Sequence, residues 1–161
     1  MSGGGAAGFT ARCTLRRMTA SDLPAILDIE RVSFPSPWSV VSFERELVTA
    51  WAVPIVAVEP APGGARLVGY ACAWNVADEV QLLNVAVHPA RRRSGVGEAL
   101  VRAVQEHAVA RGARGVVLEV RVANVPARRL YARLGFRMTA LRRGYYGSGQ
   151  DGMLMEWRQA W

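Results

Sequence analysis

A chain of 161 residues that is 51% hydrophobic and 20% charged can bury one sizeable core, and it is too apolar to stay disordered. No apolar run reaches the roughly 20 residues of a membrane span, and no basic-then-apolar leader resembles a signal peptide, so no membrane partner is expected and a cytoplasmic location fits. The net charge of +7 is lopsided: residues 1–80 carry 6 Arg against 8 acidic residues, residues 81–161 carry 14 Arg against 5, and there is no Lys, so the second half points to an anionic partner.

The opening "MSGGGAAG" reads as part of a flexible leader over residues 1–12, followed by one domain over 13–161. "CTLRRM" (13–18) predicts a first strand. A helix follows, with Thr19 or Ser21 as N-cap and Leu23, Ile26, Leu27 and Phe34 along one face. Pro35 and Pro37 break it, and Ser39 caps a second short helix over Val40 to Val48. "WAVPIVAVE" (51–59) is a strand whose Pro54 implies an edge or a bulge, and "PAPGGA" is a turn. "RLVGYACAWNV" (66–76) and "EVQLLNVAVH" (79–88) read as two further strands, antiparallel and closely connected.

From Gly95 the period becomes helical, through Val96, Leu100, Ala103, Val104 and His107, and Gly112 ends the helix. "VVLEVRV" (116–122) is a strand. Asn124 opens the next helix, Pro126 fits its first turn, and Ala127, Leu130, Tyr131 and Leu134 mark its buried face before Gly135 stops it. "FRMTALRRGYY" (136–146) and "GMLMEWRQAW" (152–161) form a final hairpin around "GSGQDG". The order is β-α-α-β-β-β-α-β-α-β-β, an α/β domain with no internal repeat.

Cys13 and Cys72 lie in apolar, strand-like surroundings and read as buried free thiols. His88 and His107 have no Cys or His at ligand spacing, so no metal site is expected.

The informative stretch is "NVAVHPARRRSGVGEAL" (84–100). Three arginines precede a helix start, where their charge opposes the helix dipole unless an anion offsets it. Gly95 and Gly97 remove side chains where an anion would approach the exposed N–H groups. A Walker loop needs a Lys that the chain lacks, and the dinucleotide fingerprint needs Gly at position 100, which is Leu. What remains is R-x-x-G-x-G, Arg92 to Gly97, between a strand and a helix, which reads as a device for holding a pyrophosphate or as a basic turn with convenient glycines.

This segment resembles motif A of the GCN5-related N-acetyltransferases (GNAT), which bind acetyl-coenzyme A. "LEVRVANVPARRLYARLGF" (118–136), "FPSPWS" (34–39) and "RRGYY" (142–146) extend the resemblance to the RimI type, the ribosomal-protein-alanine N-acetyltransferases. The resemblance implies the GNAT fold, a mixed central sheet of about seven strands with about four helices. It also implies acetyl transfer from acetyl-CoA, without a metal, to the N-terminal α-amine of a protein, namely the N-terminal alanine of a ribosomal protein of the bS18 kind. A lysine side chain or a small amine is the alternative acceptor, and a non-catalytic nucleic-acid-binding module a remote one. A monomer is expected, with no nucleic-acid partner.

Residue by residue, the resemblance implies that Val85, Ala86 and Val87 pair with the pantetheine arm and that an N–H there polarises the thioester carbonyl. Arg92, Arg93, Ser94, Gly95, Val96, Gly97 and Glu98 would hold the pyrophosphate. Asn124 matches a cofactor contact and also reads as a plain N-cap. Glu119 matches the general base; a carboxylate inside an apolar strand otherwise needs a partner such as Arg121 or another Arg. Tyr131 matches the general acid, although its spacing alone reads as core. Phe34, Pro35 and Trp38 would flank the amine's entry, or simply pack locally. Tyr145 and Tyr146 would contact the peptide, or be a solvated hairpin end. Where relatives often have Glu-Asp-Ala after the tyrosines, this chain has Gln150-Asp151-Gly152, which bears on specificity. Neither cysteine lies in an activating motif, so attack is expected to be direct, without an acetyl-enzyme.

Overall fold

The computed structural model describes residues 13–159. The expected leader, 1–12, and the last two residues of the expected domain lie outside the described residues. The elements are β1 (Thr14–Arg17), α1 (Leu23–Ser33), α2 (Val40–Val48), β2 (Ala52–Ala61), β3 (Gly64–Val76), β4 (Glu79–Val87), α3 (Val96–Arg111), β5 (Gly115–Arg121), α4 (Val125–Arg133), β6 (Arg137–Arg142) and β7 (Gly152–Arg158). This is the expected order. The seven strands form a mixed sheet, β1-β2-β3-β4-β5-β7-β6. β4 and β5 run parallel, while β1–β2, β5–β7 and β6–β7 are antiparallel.

The contacts divide the chain into two compact units. The first comprises the residues up to Ala73 with Asn84–Val101. Its core packs Met18, Leu23, Ile26, Ile29, Phe43, Val56, Tyr70, Cys72 and Ala86, with Phe34 and Trp38 partly buried against it. The start of α1 differs from expectation. Ala20–Asp22 form a 3-10 turn, and Thr19 precedes that turn rather than the helix proper. The Asp22 carboxylate takes the Thr19 N–H at 2.8 Å and two Arg16 donors at 2.8 Å, which fixes the entry from β1. Ser39 caps α2 as expected, its Oγ accepting from the Ser42 N–H at 3.2 Å.

Pro54 does not mark an edge strand. β2 lies between β1 and β3, and its register with β1 runs unbroken from Thr14↔Val58 to Arg17↔Ile55. Pro54 comes just before the first β2 residue in that register, so its missing N–H breaks no registered pair, while its carbonyl still accepts from the Met18 N–H at 3.1 Å. Cys72 is fully buried and burial raises its thiol pKa, but Cys13 is only half-buried; both are free.

The second unit comprises Trp74–Leu83 with the residues from Arg102 onward. Its core includes Val104, Ala108, Val116, Leu118, Val120, Tyr131, Leu134, Phe136, Met153 and Met155. β5 alternates buried Val116, Leu118 and Val120 with the more open Val117, Glu119 and Arg121, as a strand with one covered face must. Gly115 lets β5 approach β7: a Cβ there would sit 1.9 Å from the Trp157 carbonyl oxygen. The final hairpin is shorter than its sequence pattern. β6 ends at Arg142, so Tyr145 and Tyr146 lie in the connecting loop, where Gly144, Gly147 and Gly149 adopt positive φ and Asp151 Oδ1 takes the Gly144 N–H at 2.8 Å.

Candidate active site

In the second unit, the parallel pairing of β4 with β5 covers Val80↔Val116 to Leu82↔Leu118 and then stops. At that point lies a pocket of about 330 Å³, lined by residues of β4, β5 and β7 that include Leu83, Glu119 and Leu154, together with Tyr145 and Tyr146 from the loop. The structure thus brings Glu119 together with both tyrosines. Glu119 pairs with Arg142 at 3.6 Å rather than with Arg121. Its carboxylate, beside the Tyr145 hydroxyl, raises that phenol's pKa. Tyr146 is also raised, first by burial and then by the Glu119 charge, with Arg121 opposing. The two tyrosine rings meet edge-on at 5.0 Å, so each fixes the other.

Tyr131, on α4, is buried against Phe136 at 5.6 Å between ring centroids. Burial, with a smaller contribution from Tyr146, pushes its phenol up to about 12. It is therefore protonated at every physiological pH. Asn124 is the α4 N-cap, its Oδ1 accepting from the Ala127 N–H at 3.3 Å.

In the first unit, Val85, Ala86 and Val87 end β4, Arg92 to Gly95 form the turn into α3, and Val96 to Glu98 are its first residues. Arg93 (φ 61°) and Gly95 (φ 91°) are both left-handed, and the Ser94 hydroxyl donates to the Arg91 carbonyl, closing the turn. The first i→i−4 bond of α3 runs from the Ala99 N–H to Gly95 O at 3.0 Å, so the N–H groups of Val96, Gly97 and Glu98 precede the ladder. The three arginines are not equivalent. Arg91 is neutralised by Glu59 at 2.6 Å, Arg92 binds the Val87 carbonyl and the Ser33 hydroxyl, and Arg93 forms no ion pair among the described residues. The charge left for an anion is that of Arg92 and Arg93.

Phe34 and Trp38 pack at the edge of the first core, Trp38 lying 5.3 Å from Phe43, while Pro35 is exposed. Sequence reasoning passed over Glu30, which is only 1% exposed. It accepts from Tyr70 Oη at 2.5 Å, Asn84 Nδ2 at 2.9 Å and the Trp38 N–H at 2.9 Å. The available signal was its position: Glu30 falls on the α1 stripe of Leu23, Ile26, Leu27 and Phe34, where the period calls for an apolar residue.

This strand order, a glycine turn leading into a long helix, and a strand carboxylate facing a tyrosine loop agree with comparisons to known proteins. The family model described as Acetyltransferase (GNAT) family matches residues 23–136, and the chain belongs to that family: it is an acetyltransferase. It is 34% identical over 145 residues, 89% of this chain and 94% of the other, to a Bacillus subtilis (strain 168) protein provisionally named a ribosomal protein bS18-alanine N-acetyltransferase. The crystal structure of the Escherichia coli ribosomal-protein-S18-alanine N-acetyltransferase superposes with TM-score 0.79 at 30% identity, over 91% of this chain and 93% of that one. Arabidopsis thaliana NAA60 in complex with acetyl-CoA gives TM-score 0.82 at 25% identity, over 92% and 99%. Among the described residues no cluster of metal-ligating side chains occurs, and no helix is long and apolar enough to cross a membrane.

Proposed function

We propose that the protein transfers the acetyl group of acetyl-CoA to the N-terminal α-amine of a protein, with the N-terminal alanine of a bS18-like ribosomal protein as the leading substrate, in the cytoplasm. The observation that carries this reading is the Glu119 carboxylate on the wall of a pocket shared with Tyr145 and Tyr146. The relatives named for that reaction support the choice of acceptor, and the acetyl-CoA complex of the Arabidopsis neighbour supports the choice of donor.

The donor's diphosphate fits the turn before α3: helix N–H groups, a left-handed Arg93 and Gly95, and two arginines without a carboxylate partner. Bound there, acetyl-CoA supplies an activated thioester. The acceptor must arrive as a free amine. An α-amine with a pKa near 8 is mostly protonated at pH 7. Glu119 accepts that proton, directly or through water. Tyr131, held protonated, donates to the departing thiolate. Both substrates bind before chemistry, so attack is direct. A lysine ε-amine, with a pKa near 10.4, costs over two units more to deprotonate, which favours N-termini.

The test is incubation with acetyl-CoA and short peptides differing in their first residue, alongside lysine-bearing peptides with blocked N-termini, read by mass. Acetylation of the α-amine of alanine-first peptides is expected. Acetylation confined to lysine ε-amines overturns the reading.

A further inference from the structure

We propose that Glu30 is a positioning residue for the acceptor: it clamps the Phe34–Trp38 segment, and that clamp sets how tightly the N-terminus to be acetylated is held. This rests on the N-terminal acetyl-transfer reading above, with Phe34, Pro35 and Trp38 beside the amine's entry. One residue fastens both ends of the segment. The Glu30 main-chain carbonyl takes the Phe34 N–H at 3.1 Å, and its side-chain Oε2 takes the Trp38 N–H at 2.9 Å. Pro35 and Pro37 have no N–H to give. Of the three N–H groups between residues 34 and 38, two therefore end on Glu30, and the third, on exposed Ser36, has no partner among the described residues.

The other oxygen, Oε1, takes Tyr70 Oη at 2.5 Å and Asn84 Nδ2 at 2.9 Å. Asn84 directly follows Leu83, which lines the Glu119 pocket, so the clamp is anchored one residue from the pocket's wall. Glu30 is buried and forms no ion pair among the described residues. A core built for stability alone would carry an apolar side chain here, because burying a carboxylate without a cation is costly. What the carboxylate adds is fixed geometry between an irregular, proline-rich segment and a sheet strand. The Tyr70 hydroxyl and the Asn84 carboxamide can each donate or accept, whereas the Trp38 N–H only donates. Of the three side-chain bonds, only the one to Trp38 therefore demands an oxygen on residue 30.

The test measures KM and kcat for an alanine-first peptide in Glu30→Met, Glu30→Gln and Tyr70→Phe. Glu30→Met roughly keeps the volume and removes both oxygens. Its acceptor KM should rise about fivefold to twentyfold, while kcat stays within about threefold because Glu119 and Tyr131 lie outside the network. Glu30→Gln keeps one oxygen for Trp38 and turns its NH2 to Tyr70 and Asn84, so KM should return to within about twofold of wild type. Tyr70→Phe loosens the same core yet spares the Trp38 bond, and should also leave KM within about twofold. A carboxylate that only stabilises the core predicts that Tyr70→Phe and Glu30→Met raise KM alike, and that result overturns the inference. So does an unchanged KM in folded Glu30→Met. Hydrogen exchange in the wild type decides the point even where Glu30→Met does not fold: relative to intrinsic rates, the Trp38 amide should exchange at least about tenfold more slowly than that of Ser36. Equal protection of the two amides overturns the clamp. Turnover of alanine-first peptides with a KM indifferent to Glu30 overturns this inference alone; acetyl-CoA binding with no α-amine acetylated on any peptide overturns the N-terminal reading and this one together.

Discussion

The Tyr70 hydroxyl donates to Glu30 Oε1 across 2.5 Å in the core of the first unit. The same oxygen takes Asn84 Nδ2, and the other carboxylate oxygen takes the Trp38 N–H, so one side chain of α1 holds β3, β4 and the segment leading into α2. Burial, and after it the bond to Glu30, raise the Tyr70 phenol far above its usual pKa. Asn84 immediately precedes Val85–Val87, so this network also sets where the end of β4 lies within its unit.

Tyr70→Phe keeps the ring and removes the donor. Glu30 would then hold a buried carboxylate with one partner fewer, which costs about 1.5–3 kcal/mol for a charge-assisted bond. Urea unfolding should show the midpoint falling with an unchanged slope. A loss under about 0.5 kcal/mol, within the range of ordinary surface substitutions, would mean that the hydroxyl contributes no net stability there.

Alkaline pH should weaken the fold through Tyr70 and Tyr131. Both phenols are raised, Tyr131 to about 12, against an unfolded value near 10. Below pH 10 neither state loses a proton, so the full stability is present. As pH rises from 10 through 12 the unfolded chain ionises first, and each phenol removes up to about 1.4 kcal/mol per pH unit. Tyr131→Phe should flatten that decline. Unfolding midpoints measured between pH 9 and 11.5 provide the check, and a wild-type midpoint that does not fall above pH 10 would contradict the buried, protonated assignment.

The order of elements was legible because each carries local chemistry: Asn124, Pro126 and Gly135 bracket α4, Ser39 starts α2, and the glycine turn before α3 announces itself through its breaks in pattern. Partners were not legible, because they come from afar. Glu30 meets residues 40 and 54 positions away, and periodicity alone files a carboxylate under solvent. Glu119 invited a partner two residues on, yet Arg142 arrives from β6, while Arg121 turns to Gln150. Likewise Arg91 looked like part of an anion site until Glu59, from a distant strand, proved to neutralise it.

Gly69 is a backbone position with no room for a side chain. A Cβ there would lie 3.0 Å from the Ala86 carbonyl oxygen, 3.0 Å from Val96 Cγ1 and 3.1 Å from Leu100 Cδ1. The side chains can yield a little, but the carbonyl belongs to β4 and can move only with its strand. Gly69→Ala should therefore cost about 1–3 kcal/mol through overpacking. On the proposed reading it should also weaken acetyl-CoA binding, because Ala86 and Val96 belong to the strand and helix start that receive it. Calorimetry with acetyl-CoA on the folded variant measures this; unchanged affinity would show that the packing absorbs the methyl without moving either element.

Glu119→Gln isolates the charge of the candidate base. The amide is nearly isosteric, so the pocket wall keeps its shape while the attraction to Arg142 is lost. General-base loss typically costs about 10²–10⁴ in rate. At pH 7 kcat should fall by that order, with acetyl-CoA affinity intact. The deficit should shrink as pH rises past about 8, because the α-amine then sheds its proton without help. Arg142→Gln separates charge from position: it frees the carboxylate from its ion pair and should leave the turnover of an alanine-first peptide within about an order of magnitude, since an exposed pair of this kind contributes about 1 kcal/mol or less. Equal kcat for Glu119→Gln and wild type from pH 6 to pH 9 would remove Glu119 from proton transfer and leave Tyr145 and Tyr146 as walls of a peptide site whose base lies elsewhere.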